Sequence, residues 1–285
     1  MELNDFLTLL TAITIAVSCS LLGCFLVLRK TVMVGDAISH SVLPGIAIAY
    51  LLSSSFNSVF MLIGAAIFGV FTTLIIDFFH KKLKLQEDAS IGITFTWLFA
   101  IGIIIITLFT NSNTDLDQDC VLFGELSSTF LDKIIVGEYL IGTRSFWMIF
   151  PVFLIILVFI LFGYKGLSII SFNEDYAKSL GINVGFINLI FMSLVSVTTV
   201  MSFESVGAIL VVGLLVIPPA TAYLITNKLK RMLIYSCLLA ITSCIIGFYL
   251  SILIDVTASS IIIVVSGAMF LFAFFIINIK KMLNI

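Results

Sequence analysis

The feature that most constrains this chain is a series of apolar stretches, each about 20 residues long, that recurs along its whole length. A helix of about 20 residues crosses the hydrocarbon core of a bilayer, where backbone polar groups must be satisfied internally. Hydrophobic residues make up 61% of the chain and charged residues 11%, against roughly 25% charged residues in soluble domains. The stretches are 7–28, 33–53, 58–79, 90–110, 146–163, 183–201, 207–226, 232–254 and 257–279. We therefore predict an all-α polytopic membrane protein with about nine transmembrane helices in a single domain, residues 1–285.

The basic residues predict the orientation of these spans. All but two of the 14 Lys and Arg residues fall on one side of the membrane, and the exceptions are Lys133 and Arg144. That side is predicted to be cytoplasmic because short cytoplasmic loops are enriched in Lys and Arg. Residues 121–143 have a mixed composition and could be re-entrant or interfacial, so eight spans are an alternative. The net charge of −2 excludes a nucleic acid partner bound through its phosphates.

The segment 35–45, at the start of the second span, carries two ionisable residues in an apolar context. Asp36 and His40 are four residues apart, which places both side chains on one face of a helix. Ionisable residues within a membrane are costly and mark functional sites. A carboxylate beside an imidazole suits a divalent metal ion or a proton, although a buried pair that only stabilises helix packing is the alternative. Glu204, at the outer end of the sixth span, is a further candidate for a metal pathway.

The sequence lacks the motifs of a protein that would drive transport by its own chemistry. It contains no G-x-x-x-x-G-K-[ST] phosphate loop, no H-E-x-x-H and no G-x-S-x-G, and it has only two histidines. A conduit is therefore predicted, driven by an ion gradient or by a separate ATPase chain. Pro218 and Pro219 are expected to break the seventh span, so that freed carbonyls line the path or the segment acts as a hinge, or else simply to kink it.

A short cytoplasmic helix is predicted at about 172–181, between the fifth and sixth spans. Asn173 can cap its first turn, and Glu174 and Asp175 suit the positive end of the helix dipole. Gly181 fits the position just after the last helical residues. Three apolar side chains recur every four positions, at Phe172, Tyr176 and Leu180. They could fill a groove on a partner protein, or the helix could lie on the membrane surface.

Six stretches, taken in order, resemble the membrane subunits of ABC importers for manganese, zinc and iron. The segment 35–45 resembles the signature of this metal-specific group, and Glu174, Ala177 and Gly181 resemble the coupling helix of ABC importer permeases. Four further stretches agree with the family and follow its order: 87–93, 115–125, 202–212 and 218–223. The family usually has aspartate where this chain has Asn173. Asparagine caps a helix as well as aspartate does. The helix is therefore expected still to dock onto an ATPase subunit, with one less negative charge facing it.

The resemblance implies a type II ABC importer-like permease in the bacterial plasma (inner) membrane. It implies three protein partners in the lipid bilayer or beside it: a cytoplasmic ABC ATPase subunit, an extracytoplasmic metal-binding protein, and a second copy of the chain or a paralogous permease. Asp36, His40 and Glu204 would line the metal pathway. The residues expected to couple to the ATPase are Phe172, Asn173, Glu174, Ala177 and Gly181.

No permanently bound cofactor is implied, because the metal ion, with manganese favoured over zinc or iron, is the transported substrate. The chain is not expected to be an enzyme, since ATP hydrolysis would occur in the separate subunit. Three alternatives remain open at this point, and one of them is a membrane scaffold that transports nothing. A permease for a chelate such as haem, cobalamin or a siderophore would need a wide apolar cavity, and a gradient-driven secondary carrier or channel would work without any ATPase.

Overall fold

The structure of the protein, a computed structural model, describes residues 3–53, 58–109, 133–136 and 139–282. Within these residues, nine helical segments are long and apolar enough to cross a membrane, which confirms the predicted series. In chain order the helices are α1 (Leu3–Arg29), α2 (Val34–Ser41), α3 (Leu43–Ser53), α4 (Ser58–Lys82), α5 (Glu87–Phe109), α6 (Arg144–Phe172), α7 (Glu174–Ser179), α8 (Val184–Val206), α9 (Ala208–Ile225), α10 (Leu229–Ile254) and α11 (Ala258–Met282). Helices α2 and α3 together make the second span, and α7 is the predicted short helix.

Helix α1 lies at the centre of one half of the bundle, packed against α6, α9 and α10. The other half contains α2, α3, α4 and α5, and α8 joins the halves because it contacts α1, α4 and α6 as well as α2. Small residues allow the closest contacts. A Cβ atom added to Gly64 of α4 would stand 2.5 Å from the carbonyl oxygen of Gly45 in α3. Such glycine contacts let helix backbones approach each other in a membrane.

A small antiparallel hairpin precedes α6, formed by β1 (Lys133–Val136) and β2 (Tyr139–Thr143). The Thr143 side chain accepts a hydrogen bond from the Phe146 amide and so caps α6, and its hydroxyl lies 3.0 Å from that of Thr11 in α1. The hairpin therefore ties this end of α6 to α1. The rest of the ambiguous segment 121–143, and the stretch 115–125 that contributes to the resemblance, lie outside the described residues.

Helix α6 is longer than the fifth apolar stretch, which was predicted to end at residue 163. It has 29 residues and ends at Phe172, so it is about 43 Å long, against a hydrocarbon core of about 30 Å. Leu167 and Ile170 in its last turns are buried. This burial stabilises the extra turns, and α6 therefore projects beyond the membrane and carries α7 at its tip.

The predicted break at Pro218 and Pro219 is wrong, because α9 continues through both residues to Ile225. Pro219 has no N–H to donate to the carbonyl of Leu215, four residues earlier. That carbonyl lies directly against Gly23 of α1, where a Cβ atom would collide with it. Contact with the neighbouring helix thus accommodates the proline, as is common in membrane helices.

The second span also loses one backbone hydrogen bond at a proline. Helix α2 ends at Ser41 and α3 begins at Leu43, but Val42 between them keeps a right-handed helical conformation and its amide donates to the Ile38 carbonyl. Pro44 cannot donate a backbone hydrogen bond to the carbonyl of His40, so the span continues with that one bond missing. A Cβ atom at Gly102 of α5 would stand 3.0 Å from the Pro44 nitrogen, so α5 packs closely against this point.

The ends of α1, α4 and α6 meet at one end of the bundle. Arg29, Lys81, Ser171 and Glu174 line a common cavity of about 250 Å³ there. We call this the basic end. Arg29 and Lys81 both belong to the predicted cytoplasmic group of Lys and Arg, and Asp77, Glu87 and Glu174 line the same cavity.

Candidate metal centre and docking helix

Helix α2 presents Asp36 and His40 on the same face, as their spacing predicts. The His40 Nε2 atom lies 3.9 Å from Asp36 Oδ1. The Asp36 side chain is 49% exposed and the His40 side chain is 43% exposed. On the opposite face, Ala37, Ile38 and Ser41 are buried. The pair is therefore not a buried packing element of the single chain. It faces outward from the protomer.

Neighbouring helices hold α2 in this orientation. The Thr72 hydroxyl of α4 donates a 2.7 Å hydrogen bond to the Ser41 hydroxyl, and both side chains are buried. The His40 ring lies between two rings of α5, with centroids 5.9 Å from Phe95 and 5.7 Å from Phe99. These contacts restrict the rotation of α2 about its axis and the position of the imidazole.

The distance within the pair suits a single bound metal ion. Two atoms that coordinate one ion at about 2.1 Å each cannot be more than about 4.2 Å apart, and 3.9 Å lies within this limit. No group of three His, Cys, Asp or Glu side chains with suitable geometry occurs among the described residues. Within that part of the chain, the protomer thus offers two side-chain ligands, fewer than a divalent transition metal normally takes.

The structure does not bring Glu204 to this pair. Glu204 lies in the last turn of α8 and is exposed. Gly207 follows with φ of +84°, a left-handed conformation that favours glycine, and separates α8 from α9. The Ser259 hydroxyl of α11 donates a hydrogen bond of 2.9 Å to the Val206 carbonyl. Glu204 is therefore placed on a well-fixed turn, away from Asp36 and His40.

The short helix α7 has the ends that the sequence predicts. The Asn173 side chain accepts a hydrogen bond of 3.0 Å from the Tyr176 amide. At the other end, the Ile182 amide donates to the Ala177 carbonyl and the Gly181 amide to that of Lys178. With Gly181 at φ of +77°, these two bonds form a Schellman motif. Residue choice at each end thus defines the length of α7.

The two faces of α7 have different roles in the structure. Ala177 is fully buried in a small cluster with Ile170 and Val184, which fixes α7 to the ends of α6 and α8. The apolar side chains on the other face are 68%, 55% and 52% exposed, at Phe172, Tyr176 and Leu180 respectively. Ala177 therefore belongs to the base of the helix, not to its outer surface. The outer surface is apolar and uncovered in the single chain.

Sequence reasoning did not identify Arg29 as a site residue. Its side chain leaves the end of α1 and contacts both α6 and α8 at the basic end. The only signal in the sequence is an arginine directly after a long apolar run, which is also what the ordinary end of a membrane helix looks like.

The comparisons with known proteins agree with this fold. Residues 6–277 match a family model described as the ABC 3 transport family. The chain is 40% identical over 264 residues to the manganese transport system membrane protein MntD of Bacillus subtilis, covering 93% of this chain and 89% of that protein. It is 35% identical over 261 residues to the zinc transport system membrane protein TroD of Treponema pallidum, covering 92% and 71%, respectively.

A solved structure, PsaBC from Streptococcus pneumoniae in complex with Fab, superimposes with a TM-score of 0.76 and 33% sequence identity, covering 96% of this chain and 93% of that chain. The series of apolar helices and these similarities define a class, the multi-pass permease subunits of ABC transporters in the bacterial inner membrane. The chain belongs to the ABC 3 transport family.

Proposed function

We propose that this chain is the permease subunit of an ATP-driven importer of divalent transition metal ions, with manganese preferred over zinc and iron. The observation that carries the proposal is the pair of Asp36 and His40 on an exposed face of a membrane helix, with Asp36 Oδ1 and His40 Nε2 3.9 Å apart. Oxygen and imidazole ligands suit Mn²⁺, Fe²⁺ and Zn²⁺. The preference for manganese rests on relatives such as MntD, whose name states that metal.

A second copy of the chain, or a paralogous permease, completes the site in this proposal. The transmembrane helices expose many large apolar side chains, which suit contact with lipid. Asp36 lies in the first turn of the second span and His40 lies one turn further along. Ionisable side chains that face lipid within a span are costly, so the face with Asp36 and His40 needs a polar or protein neighbour. A two-fold axis beside α2 would bring two such pairs together. Four ligands could then replace the water lost from the ion without trapping it.

The docking helix α7 provides the link to ATP in this proposal. The basic end is cytoplasmic by the positive-inside rule, so the exposed apolar face of α7 points to where an ABC ATPase subunit would bind. Phe172 would insert into a groove of that subunit, while Asn173, Glu174 and Gly181 maintain the helix and Ala177 anchors it. On the opposite side, Glu204 would receive the ion from an extracytoplasmic metal-binding protein. ATP hydrolysis takes place in the ATPase subunit.

Metal uptake into proteoliposomes tests this proposal. The vesicles would contain the chain, its ATPase and its binding protein, and uptake of radiolabelled Mn²⁺, Zn²⁺ and Fe²⁺ would be measured with and without ATP. We expect ATP-dependent uptake of Mn²⁺ that the double variant Asp36→Asn/His40→Gln abolishes. A matched control for the carboxylate is Asp255→Asn, which makes the same chemical change at an exposed position outside the proposed site.

The other outcomes distinguish the alternatives. Unchanged Mn²⁺ uptake in the Asp36/His40 variant would refute the metal site. Uptake without the ATPase would refute the ABC mechanism and favour a secondary carrier, whereas uptake of a metal chelate but not of free Mn²⁺ would identify a chelate permease. Copurification tests the docking helix separately. Phe172→Ala should reduce binding of the ATPase, whereas Phe162→Ala, at a residue that is 89% exposed on α6, should not.

A further inference from the structure

Arg29 joins three helices at the basic end. Its Nε donates a 3.1 Å hydrogen bond to the Ser171 hydroxyl near the end of α6. Its Nη1 donates a 2.8 Å hydrogen bond to the side-chain oxygen of Asn188 in α8. The guanidinium carbon lies 4.5 Å from the centre of the Phe191 ring, also in α8, which adds a cation–π contact. One side chain of α1 thus holds α6 and α8 together.

The two hydrogen-bonding partners flank the docking helix in sequence. Ser171 comes directly before Phe172, and Asn188 lies in the first turns of α8, just after the segment that contains α7. The described chain between them is itself fixed by the Ala177 cluster. Any movement of α7 that displaces the ends of α6 and α8 must therefore pull on Arg29 or break its hydrogen bonds.

On its other side, Arg29 is connected to the candidate metal helix by a short turn. Lys30 adopts φ of +63°, the Thr31 amide donates to the Leu26 carbonyl, and the Val34 amide donates to the Thr31 carbonyl. Helix α2 begins at Val34, and Asp36 lies in its first turn. Only four residues, held by these hydrogen bonds, separate Arg29 from the first residue of α2.

The guanidinium also retains one uncommitted donor. Arg29 Nη2 is buried and has no hydrogen-bond partner among the described residues, and the same is true of the Thr31 hydroxyl. Both residues line the cavity at the basic end, together with the carboxylates of Asp77 and Glu174. Glu174 is the first residue of α7, and its Oε1 atom lies 3.7 Å from Lys178 Nζ. Glu174 of the docking helix and Arg29, with its unpaired Nη2 donor, therefore border the same cavity.

We infer that Arg29 is the positioning residue through which movement of the docking helix is transmitted to the metal helix α2. The inference rests on the proposed function, because it assumes that α7 binds the ATPase and that Asp36 and His40 bind the ion. Arg29 belongs to neither of these two proposed sites. It holds the ends of α6 and α8 to the end of α1, so that the three move as one unit when the ATPase closes.

The ratio of metal transported to ATP hydrolysed tests this inference in the complete transporter. We expect Arg29→Gln to lower the Mn²⁺ transported per ATP by about tenfold, because hydrogen bonds from a charged donor are among the strongest in proteins. Binding of the ATPase and equilibrium binding of Mn²⁺ should stay within about twofold of the unchanged chain, since these sites keep their own residues. Arg29→Lys should restore part of the ratio because it keeps the charge but not the planar fork.

Two controls keep the result decisive. Arg231→Gln makes the same change at an exposed arginine of α10 and should leave the ratio unchanged. If Arg29→Gln does not fold, the double variant Ser171→Ala/Asn188→Ala removes the acceptors while keeping the arginine, and a lower ratio is again expected.

An unchanged ratio in the folded variant would overturn the inference. Equal losses of ATPase binding and uptake would also overturn it, since Arg29 would then only support the shape of α7. Failure of the proposed function is distinguishable, because the unchanged chain would then lack ATP-dependent uptake.

Discussion

Replacing Gly181 with alanine tests whether the exact ending of α7 matters for binding the ATPase. Gly181 has φ of +77°, and a Cβ atom there would meet nothing within 4 Å. The substitution therefore acts only through the backbone conformation, not through a clash. Asparagine at the same position is the informative comparison, because it adopts left-handed conformations far more readily than alanine does.

The size of the effect follows from two opposing terms. A left-handed conformation costs an alanine about 1–2 kcal/mol. The lower entropy of the unfolded chain returns about 0.4–1 kcal/mol. The net loss is about 1 kcal/mol, which is roughly fivefold in an equilibrium constant. We expect the apparent Kd for the ATPase to rise about fivefold in Gly181→Ala and to change little in Gly181→Asn, as measured by titration of the permease in nanodiscs.

A matched control is available four residues further along. Gly185 lies in the first turn of α8, has no positive φ, and its nearest contact for an added Cβ atom is at 3.7 Å. Gly185→Ala should therefore leave ATPase binding intact. The reasoning would be refuted if Gly181→Ala bound the ATPase normally while Phe172→Ala bound it weakly. In that case Phe172 would contribute to ATPase binding, but the way in which α7 ends at Gly181 would not.

Three further substitutions test how the helices are held. Gly23→Ala places a methyl group against the Leu215 carbonyl. It should lower the stability of the purified chain by about 1–3 kcal/mol, which is measured as a lower Tm; an unchanged Tm would show that α1 and α9 can separate freely. Ser41→Ala removes the buried acceptor of the Thr72 hydroxyl, a hydrogen bond worth about 1 kcal/mol, and should weaken Mn²⁺ binding; unchanged binding in equilibrium dialysis would contradict this. Ala177→Leu overpacks a fully buried position and should reduce copurification of the ATPase, whereas normal copurification would mean that the base of α7 adapts.

The parts of this structure that depend on local sequence could be predicted. The nine spans follow from composition over about 20 residues, and the two ends of α7 follow from Asn173 and Gly181 within one turn. The connections between distant segments could not be predicted. Arg29 bonds to residues that are 142 and 159 positions away, and no local pattern specifies such partners.

The prolines show why the prediction of helix breaks failed. Pro44 and Pro219 each remove one backbone donor, and both are equally visible in the sequence. In α9 the carbonyl freed by Pro219 lies against Gly23 of a neighbouring helix, and the helix continues. In the second span Val42 keeps helical backbone angles past Ser41, and Gly102 of α5 packs against Pro44. In both spans a glycine of a neighbouring helix packs against the proline, which is a property of the tertiary structure.

The same distinction applies to Asp36 and His40. Their spacing predicts a shared helix face, but it cannot predict whether that face points into the protomer or away from it. A pair buried within one chain would be satisfied there and could serve packing alone. A pair that is nearly half exposed in a membrane helix must instead be satisfied by water, by an ion or by another protein surface. This is why the proposed metal site and the proposed second copy stand together. If two copies form without placing these side chains at their interface, the metal pathway loses its physical basis as well.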